Sequence, residues 1–270
     1  MELLHSGGTG TILLVKTYCN IQQSVELIAK RHGISSGDLR ISFDGEKVSR
    51  FDSFSKIGSK DGDTFYLIQS QSGAKPVILL YPNSPIVCDV SIELCKKWEL
   101  TSIYPTSKNE ENTKFRVEWN DIKADQDGKL TIKDKEYPYL FWESDTIETL
   151  FQFDFNETFC VKSEIVGEFL DEILLLKGLN FKERCDFITF WLHQLQSKEF
   201  VMIQFLSFEF YPQIAKLKIK CSIQPETIIR EFFIFSSCDE MNFECKGKLL
   251  DTRRERIGFT VVEWGALNMK

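Results

Sequence analysis

The sequence predicts an α+β protein in two parts: a small N-terminal domain built on one helix, then a β-rich, sandwich-like domain with a helical pair inserted. Three observations predict it. Residues 1–69 read hairpin, helix, strand, turn and last strand. Residues 76–270 show short alternating or aromatic runs recurring between turn residues. Within that second part, residues 163–197 switch to helical periodicity. Residues 70–75, Ser-Gln-Ser-Gly-Ala-Lys, have the composition of a short flexible linker.

A chain of 270 residues has room for two separate cores, since domains run about 100–200 residues. With 27% charged and 43% hydrophobic residues the composition is globular, and 23 Phe predict cores rich in ring contacts. Residues 1–74 carry eight basic and eight acidic side chains, so the whole net charge of −7 falls on the remainder. A net acidic domain without a block of five Lys/Arg repels phosphate backbones, so no nucleic acid partner is expected. No run approaches the roughly 18 apolar residues of a membrane span, and Met1 to His5 lacks the basic start and apolar core of an export signal. A cytoplasmic protein is expected. The eight cysteines, at 19, 88, 95, 160, 185, 221, 238 and 245, include no Cys-x-x-Cys pair. Free thiols are therefore expected rather than a zinc ribbon or redox motif.

In the first domain, Met1 to Ser6 and Thr11 to Tyr18 flank the glycine-rich turn Gly7-Gly-Thr-Gly10. Ile21, Val25 and Ile28 place an apolar face on a helix that Gly33 ends. Leu39, Ile41 and Phe43 face one side of the next strand, and Arg40 and Ser42 the other. Asp44-Gly45 turns the chain, and Thr64 to Ile68 forms the last strand after Lys60-Asp-Gly-Asp63.

This order and spacing resemble ubiquitin across residues 1–74. The likeness rests on Gly33-Ile34 after the helix, on Leu39-Arg-Ile-Ser-Phe-Asp-Gly45, and on the distance from Gly45 to Phe65-Tyr-Leu-Ile68. It implies a ubiquitin-like β-grasp domain. Where ubiquitin ends in a Gly-Gly tail, this chain has Gln69-Ser-Gln-Ser-Gly-Ala74 and continues, so conjugation is not implied. Ser42 stands at the position of ubiquitin's main recognition isoleucine, whereas Ile68 near the end of the last strand is retained. Ile68, Ser42 and Arg40 are the expected docking positions for a protein partner, within or outside the ubiquitin pathway.

The second domain opens with Pro76 to Pro82, a buried strand with proline at both edges. Ile86 to Leu94 is a longer strand. Phe115, Val117 and Trp119 are expected to face inward, with Arg116 and Glu118 outward. Asp127-Gly128 reads as a hairpin turn into Leu130-Thr-Ile132, and Tyr137 to Trp142 as an aromatic strand. Ser163 is the expected N-cap of a helix from Glu164 to Lys177, ended by Gly178. Asn180 and Glu183 form a capping box for a second helix through about Ser197, with the apolar stripe Phe181, Cys185, Ile188, Leu192 and Leu195. Strands then resume at Phe200–Phe210, Ala215–Ser222, Thr227–Phe235 and Gly258–Trp264.

Lys75-Pro-Val-Ile-Leu-Leu-Tyr-Pro82, Thr158-Phe-Cys-Val-Lys162 and Gly258-Phe-Thr-Val-Val-Glu-Trp-Gly265 resemble a widespread family best known from bacterial proteins. The similarity spans about residues 75–265 and implies a domain boundary but no particular activity. That family has proline after Trp-Leu where this chain has His193, so no shared catalytic role is implied for His193.

Three functions are compatible with these residues. The first is a protein-interaction or adaptor module without conjugation. The second is a cysteine-dependent hydrolase acting on peptides or ubiquitin-like substrates, because a thiolate needs a base beside it. Cys160 would be its nucleophile and His193 its base, with Asp186 or Glu143 orienting the ring. Against it, periodicity puts His193 with Asp186, Thr189 and Gln196 on the polar helix face, and Cys185 on the buried stripe. The third is carbohydrate binding or processing, since Trp142-Glu143 and Glu263-Trp264, with Tyr139, set carboxylates beside aromatic platforms. On the last strand Glu263 shares a parity with Phe259 and Val261, and Trp264 with Val262, so either could point inward. Asp125-Gln-Asp127-Gly128 starts like a calcium loop but lacks the later ligands, and no phosphate-binding glycine loop occurs. No metal or cofactor is expected.

Overall fold

The computed structural model describes residues 2–5, 10–12, 20–32, 39–43, 46–49, 51–60, 62–69, 74–107, 109–110, 112–146, 151–241, 244–249 and 252–269. The turn at residues 7–9, strand residues 13–18, Gly33, Asp44-Gly45 and linker residues 70–73 lie outside them. The architecture is α+β and strand-rich. The chain forms two compact units, Met1–Gln71 and Ser72–Lys270.

The first unit contains β1 (Glu2–His5), β2 (Gly10–Ile12), α1 (Ile21–His32), β3 (Leu39–Phe43), β4 (Glu46–Lys47) and β5 (Thr64–Gln69). Its strands form one sheet in the order β2-β1-β5-β3-β4. β1 and β5 pair in parallel at the centre, and the other neighbours are antiparallel. Asn20 starts α1 by accepting the Gln23 N–H on its side-chain oxygen at 3.1 Å. The helix buries Ile21, Val25 and Ile28, the face its periodicity predicts, in one cluster with Leu39, Ile41, Phe54 and Phe65. Each such burial contributes about 1.5–3 kcal/mol, which is what holds so short a helix in place.

The second unit runs β6 (Val77–Tyr81), β7 (Ile86–Leu94), β8 (Trp98–Tyr104), β9 (Arg116–Ala124), β10 (Leu130–Ile132), β11 (Lys135–Tyr137), β12 (Leu140–Thr146) and β13 (Phe159–Lys162). It continues α2 (Val166–Leu176), α3 (Phe181–Leu195), β14 (Phe200–Phe205), α4 (Tyr211–Ile214), β15 (Ala215–Cys221), β16 (Thr227–Cys238) and β17 (Thr260–Asn268). A five-stranded sheet has the order β11-β10-β9-β7-β15, and a seven-stranded sheet β13-β14-β16-β17-β6-β12-β8.

Two cores separate three layers. Between the sheets, Ile78, Leu140, Trp142, Phe232 and Val261 meet Val90, Ile92, Trp119 and Ile122. On the other face of the large sheet, Val77, Leu79, Phe233, Val262 and Trp264 meet Leu170, Phe187 and Trp191 of the helical pair. The pair is thus a covering layer for the sandwich. Every residue of β17 is buried, because that strand is covered on both sides. The parity question on β17 therefore resolves with Glu263 and Trp264 both inward, facing different cores.

Local chemistry explains the connections. Gly128 sits at φ 84°, and a Cβ there would lie 2.6 Å from the Tyr81 ring, so the Asp127-Gly128 turn needs glycine twice over. Asn180 and Glu183 form the capping box, with Glu183 N–H donating to Asn180 Oδ1 at 2.9 Å and Asn180 N–H to Glu183 Oε2 at 2.8 Å.

Several expectations are corrected. Ser163 begins a short 3-10 turn instead of capping α2, and its hydroxyl donates to Leu195 O at 3.3 Å. The buried face of α3 is Glu183, Phe187, Trp191 and Leu195; Phe181 and Cys185 are exposed. The sheet receives the bulky Phe187 and Trp191, which rotates the helix away from the stripe of smaller residues. Glu118 is buried rather than outward, because Arg116 and Lys220 pair with it at 2.7 and 3.3 Å.

Candidate functional site

Glu263 is fully buried between the two sheets. A carboxylate there is costly unless it is paired and hydrogen-bonded. Arg230, its register partner on β16, donates from Nε to Glu263 Oε2 at 2.5 Å. Trp142 donates its indole N–H to Oε1 at 3.0 Å, and the Tyr211 hydroxyl lies 3.4 Å from the same oxygen. Arg230 also donates to Ala215 O at 2.7 Å and stacks its guanidinium 4.5 Å from the Tyr211 ring centre. Burial, then the Glu263 carboxylate, pushes the Tyr211 hydroxyl well above its usual value, so it remains protonated. Arg230, Trp142 and Tyr211 thus all address the one carboxylate. The cluster pins β12, β16, β17 and α4 together.

Glu143 is next in sequence to Trp142 but points to the other face, where Lys75 pairs with it at 3.2 Å. Cys160 lies on β13, at one edge of the seven-stranded sheet. Five strand spacings of about 4.8 Å separate β13 from β12, roughly 24 Å. Cys160 and Glu143 are therefore far apart, and three spacings separate Cys160 from the strand of Glu263. His193 is exposed near the end of α3. Among the described residues neither Cys160 nor Glu263 contacts it. Asp186, its proposed orienting partner, is instead taken up by Lys182 at 2.7 Å.

The neighbours of Cys160 are other thiols. Lys246 N–H donates to Phe155 O at 2.8 Å and Gly247 N–H to Thr158 O at 2.9 Å, which lays Cys245 alongside β13. The Cys160 thiol donates to Cys245, and Cys238 is close to both. Burial, then Cys245 and Cys238, pushes the Cys160 thiol up to about 11, so it holds its proton at neutral pH. Among the described residues no three His, Cys, Asp or Glu side chains converge as a metal-binding group.

Trp264 and Tyr139 do share a site. With Lys75, Tyr104, Phe141 and Phe190 they line a cleft of about 270 Å³ on the helix-covered side of the large sheet. A second cleft, about 400 Å³, shares Tyr139, Phe190 and Trp264 and extends to Lys182 and Asp186. Trp142, the other aromatic of the carbohydrate expectation, is not part of it; that ring is buried between the sheets. Tyr104, Phe141 and Phe190 were not singled out from sequence. Tyr104 lies in a strand whose polar run, Trp98-Glu-Leu-Thr-Ser-Ile-Tyr, carries little hydrophobic contrast.

In the first unit, the register places Ser42 opposite Lys47 on one side and Tyr66 on the other. Phe65 is fully buried, and the next residue, Tyr66, is 50% exposed on the central strand. Ser42 is half-buried. Arg40 and Ile68 are register partners on the same two strands; their side chains lie outside the described set.

No known family model matches the chain. Over 77 residues it is 36% identical to the uncharacterised protein in the bglA 3′ region of Butyrivibrio fibrisolvens, a match covering 28% of this chain and 72% of that protein. Among solved structures, Caldiarchaeum subterraneum ubiquitin is similar at 18% identity, covering 25% of this chain and 88% of that one with a TM-score of 0.24. A computationally designed protein based on the template of human erythrocytic ubiquitin is similar at 22% identity, covering 25% and 85% with a TM-score of 0.24.

Proposed function

The chain belongs to the same family as the uncharacterised Butyrivibrio fibrisolvens bglA 3′ region protein, and from that premise we propose that it is a two-domain binding protein. In this reading residues 1–69 are a ubiquitin-like β-grasp domain that docks a protein partner and is not conjugated. The sheet order β2-β1-β5-β3-β4, with a central parallel pair and a helix on one face, supports the ubiquitin-like assignment. So does the sequence resemblance.

The observation that carries docking is Tyr66. A large aromatic side chain half in water at the centre of a sheet, away from the helix, is the kind of residue that anchors protein interfaces. The register sets Ser42 of β3 opposite Tyr66 on one side and opposite position 47 of β4 on the other. Ser42 in place of an apolar centre makes this surface more polar than ubiquitin's, and the partner is correspondingly distinct from receptors that need that patch.

The cysteine-hydrolase reading gains no support. Its thiol is protonated, its base is exposed on another element, and its orienting carboxylates are paired elsewhere.

The test is affinity capture with the full chain, comparing the natural sequence with Tyr66→Lys and with Lys30→Glu on the exposed side of α1. A protein retained by the natural chain and Lys30→Glu, and lost with Tyr66→Lys, is the expected result. Identical retention by both variants overturns the proposal.

A further inference from the structure

We infer that Cys88 and Cys221 are a reversible redox site, which a low-molecular-weight disulfide oxidises to a cross-strand bridge at the edge of the five-stranded sheet. The site lies in the second unit and is independent of the docking face in the first, so each can fail without the other.

The register sets the geometry. β7 and β15 pair antiparallel without a shift from Leu94–Ala215 to Cys88–Cys221, so the two cysteines stand directly opposite. Just beyond that run, Cys95 N–H donates to Ile214 O at 2.8 Å, which makes the Cys95–Ile214 pair a hydrogen-bonded one. Hydrogen-bonded and non-hydrogen-bonded pairs alternate, and Cys88–Cys221 lies an odd number of positions away. It is therefore a non-hydrogen-bonded pair, with Cα atoms about 4.5 Å apart. Disulfides span Cα separations of about 4.4–6.8 Å, so neither strand has to move for this bridge to close.

Both thiols also point the same way. Cys88 is buried in the core between the two sheets, and Cys221, half-buried, packs against that same core. Both are free thiols. The Cys221 thiol donates to Ile223 O at 2.5 Å, and rotation about its Cα–Cβ bond exchanges that contact for the Cys88 sulfur. Opposed Cβ atoms lie about 4.5–5.5 Å apart, wider than the roughly 3.8 Å of a relaxed disulfide. The bridge is therefore strained and readily reduced, which makes it reversible rather than a permanent crosslink. Cys221 is the last residue of β15, and β15 is the outermost strand of its sheet. The end of an edge strand opens before the strands inside it, and a bridge to β7 closes that end.

The chemistry balances with glutathione disulfide as oxidant. Cys221 reacts first, because it is the thiol with solvent access. Burial, then Cys221 and Asp89, pushes the Cys88 thiol up to about 12, so Cys88 holds its proton until a disulfide is beside it. The Cys221 sulfur loses its proton and attacks one sulfur of the oxidant. That S–S bond breaks, a Cys221–glutathione disulfide forms, and one glutathione leaves with the proton. The Cys88 sulfur then loses its proton and attacks the Cys221 sulfur, which expels the second glutathione. Two protein thiols are oxidised by two electrons, and one glutathione disulfide is reduced to two thiols.

The experiment incubates the full chain with glutathione disulfide at about pH 8.5, the range where ordinary thiols exchange. Non-reducing digestion and mass spectrometry then read the linkages. The expected result is a peptide pair joined through Cys88 and Cys221, lost on treatment with dithiothreitol and missing from Cys221→Ser. Cys88→Ser, which lacks the second thiol, keeps glutathione on Cys221. Hydrogen exchange of the β15 amides slows about tenfold or more in the oxidised chain relative to the reduced one. The inference is overturned if the natural chain yields no Cys88–Cys221 peptide, or if the linkage forms only after denaturation. It is equally overturned if Cys88→Ser traps no glutathione on Cys221, or if β15 exchanges alike in both states.

Discussion

Trp142 donates its indole N–H to Glu263 at 3.0 Å by reaching past β6, so two residues 121 positions apart close over the strand between them. With Arg230 on the opposite carboxylate oxygen, this is a buried ion pair whose partners depend on one another. Removing one partner leaves an uncompensated charge in the interior, a loss of about 3–5 kcal/mol. Arg230→Met and Glu263→Leu should each lower the unfolding free energy measured in urea by that order. The double variant, which removes both charges, should recover most of the loss. Additive losses in the double variant would show that the pair is not coupled.

Cys160 is protonated at neutral pH because burial and two neighbouring thiols raise it to about 11. Its alkylation by iodoacetamide, followed by peptide mass spectrometry, should be slow near pH 7. The rate should climb about tenfold per pH unit through pH ~8–10, since the thiolate is the reacting form. The exposed Cys185 should be labelled before it. Rapid labelling of Cys160 at pH 7 would contradict this environment.

Glu118 gives the sheet pair an acid sensitivity. Burial raises its carboxyl, but the hydrogen bonds from Arg116 and Lys220 outweigh burial and hold it below the ordinary value. A carboxyl depressed in the folded state adds stability above its unfolded pKa of about 4.3, and that contribution disappears as pH falls through the folded value. Urea midpoints should therefore drop on acidification below about pH 4.5, and Glu118→Gln should flatten the drop. An unchanged slope in the variant would count against the pairing.

The capping box at α3 is joined by Arg256, which donates to both oxygens of Glu183. Asn180→Ala should cost about 1 kcal/mol, the usual value of a cap. Glu183→Ala should cost more, because it also strands Arg256 beside a buried site. Thermal unfolding of the two variants compares them directly.

That capping box was legible in the sequence because its signal is local: two polar residues three apart before an apolar run. The same holds for Gly128, Gly178 and the Ile21-Val25-Ile28 face of α1. What sequence could not carry was the coverage of the large sheet on both sides. Alternation marks a strand only when one face is wet, and on β17 neither is, so Glu263 and Trp264 were indistinguishable by parity. Arg230 sits in Thr227 to Cys238 among mostly buried neighbours, and nothing near it in sequence announces Glu263 as its partner. The rotation of α3 was hidden for a related reason. The stripe through Cys185 and the face through Phe187 and Trp191 are both helical in period, and only the depth of the facing sheet chooses between them. Likewise Tyr104, Phe190 and Trp264 meet through tertiary packing across more than 150 residues of sequence.

The most direct measurement is site-specific photo-crosslinking of the full chain inside cells, with p-benzoylphenylalanine placed at Tyr66 or, in a parallel sample, at Lys30. A discrete crosslinked protein at position 66, missing at position 30 and diminished by Ser42→Lys, is the predicted result. If position 66 yields no protein adduct, or the same adducts as position 30, this sheet face is not where a partner binds.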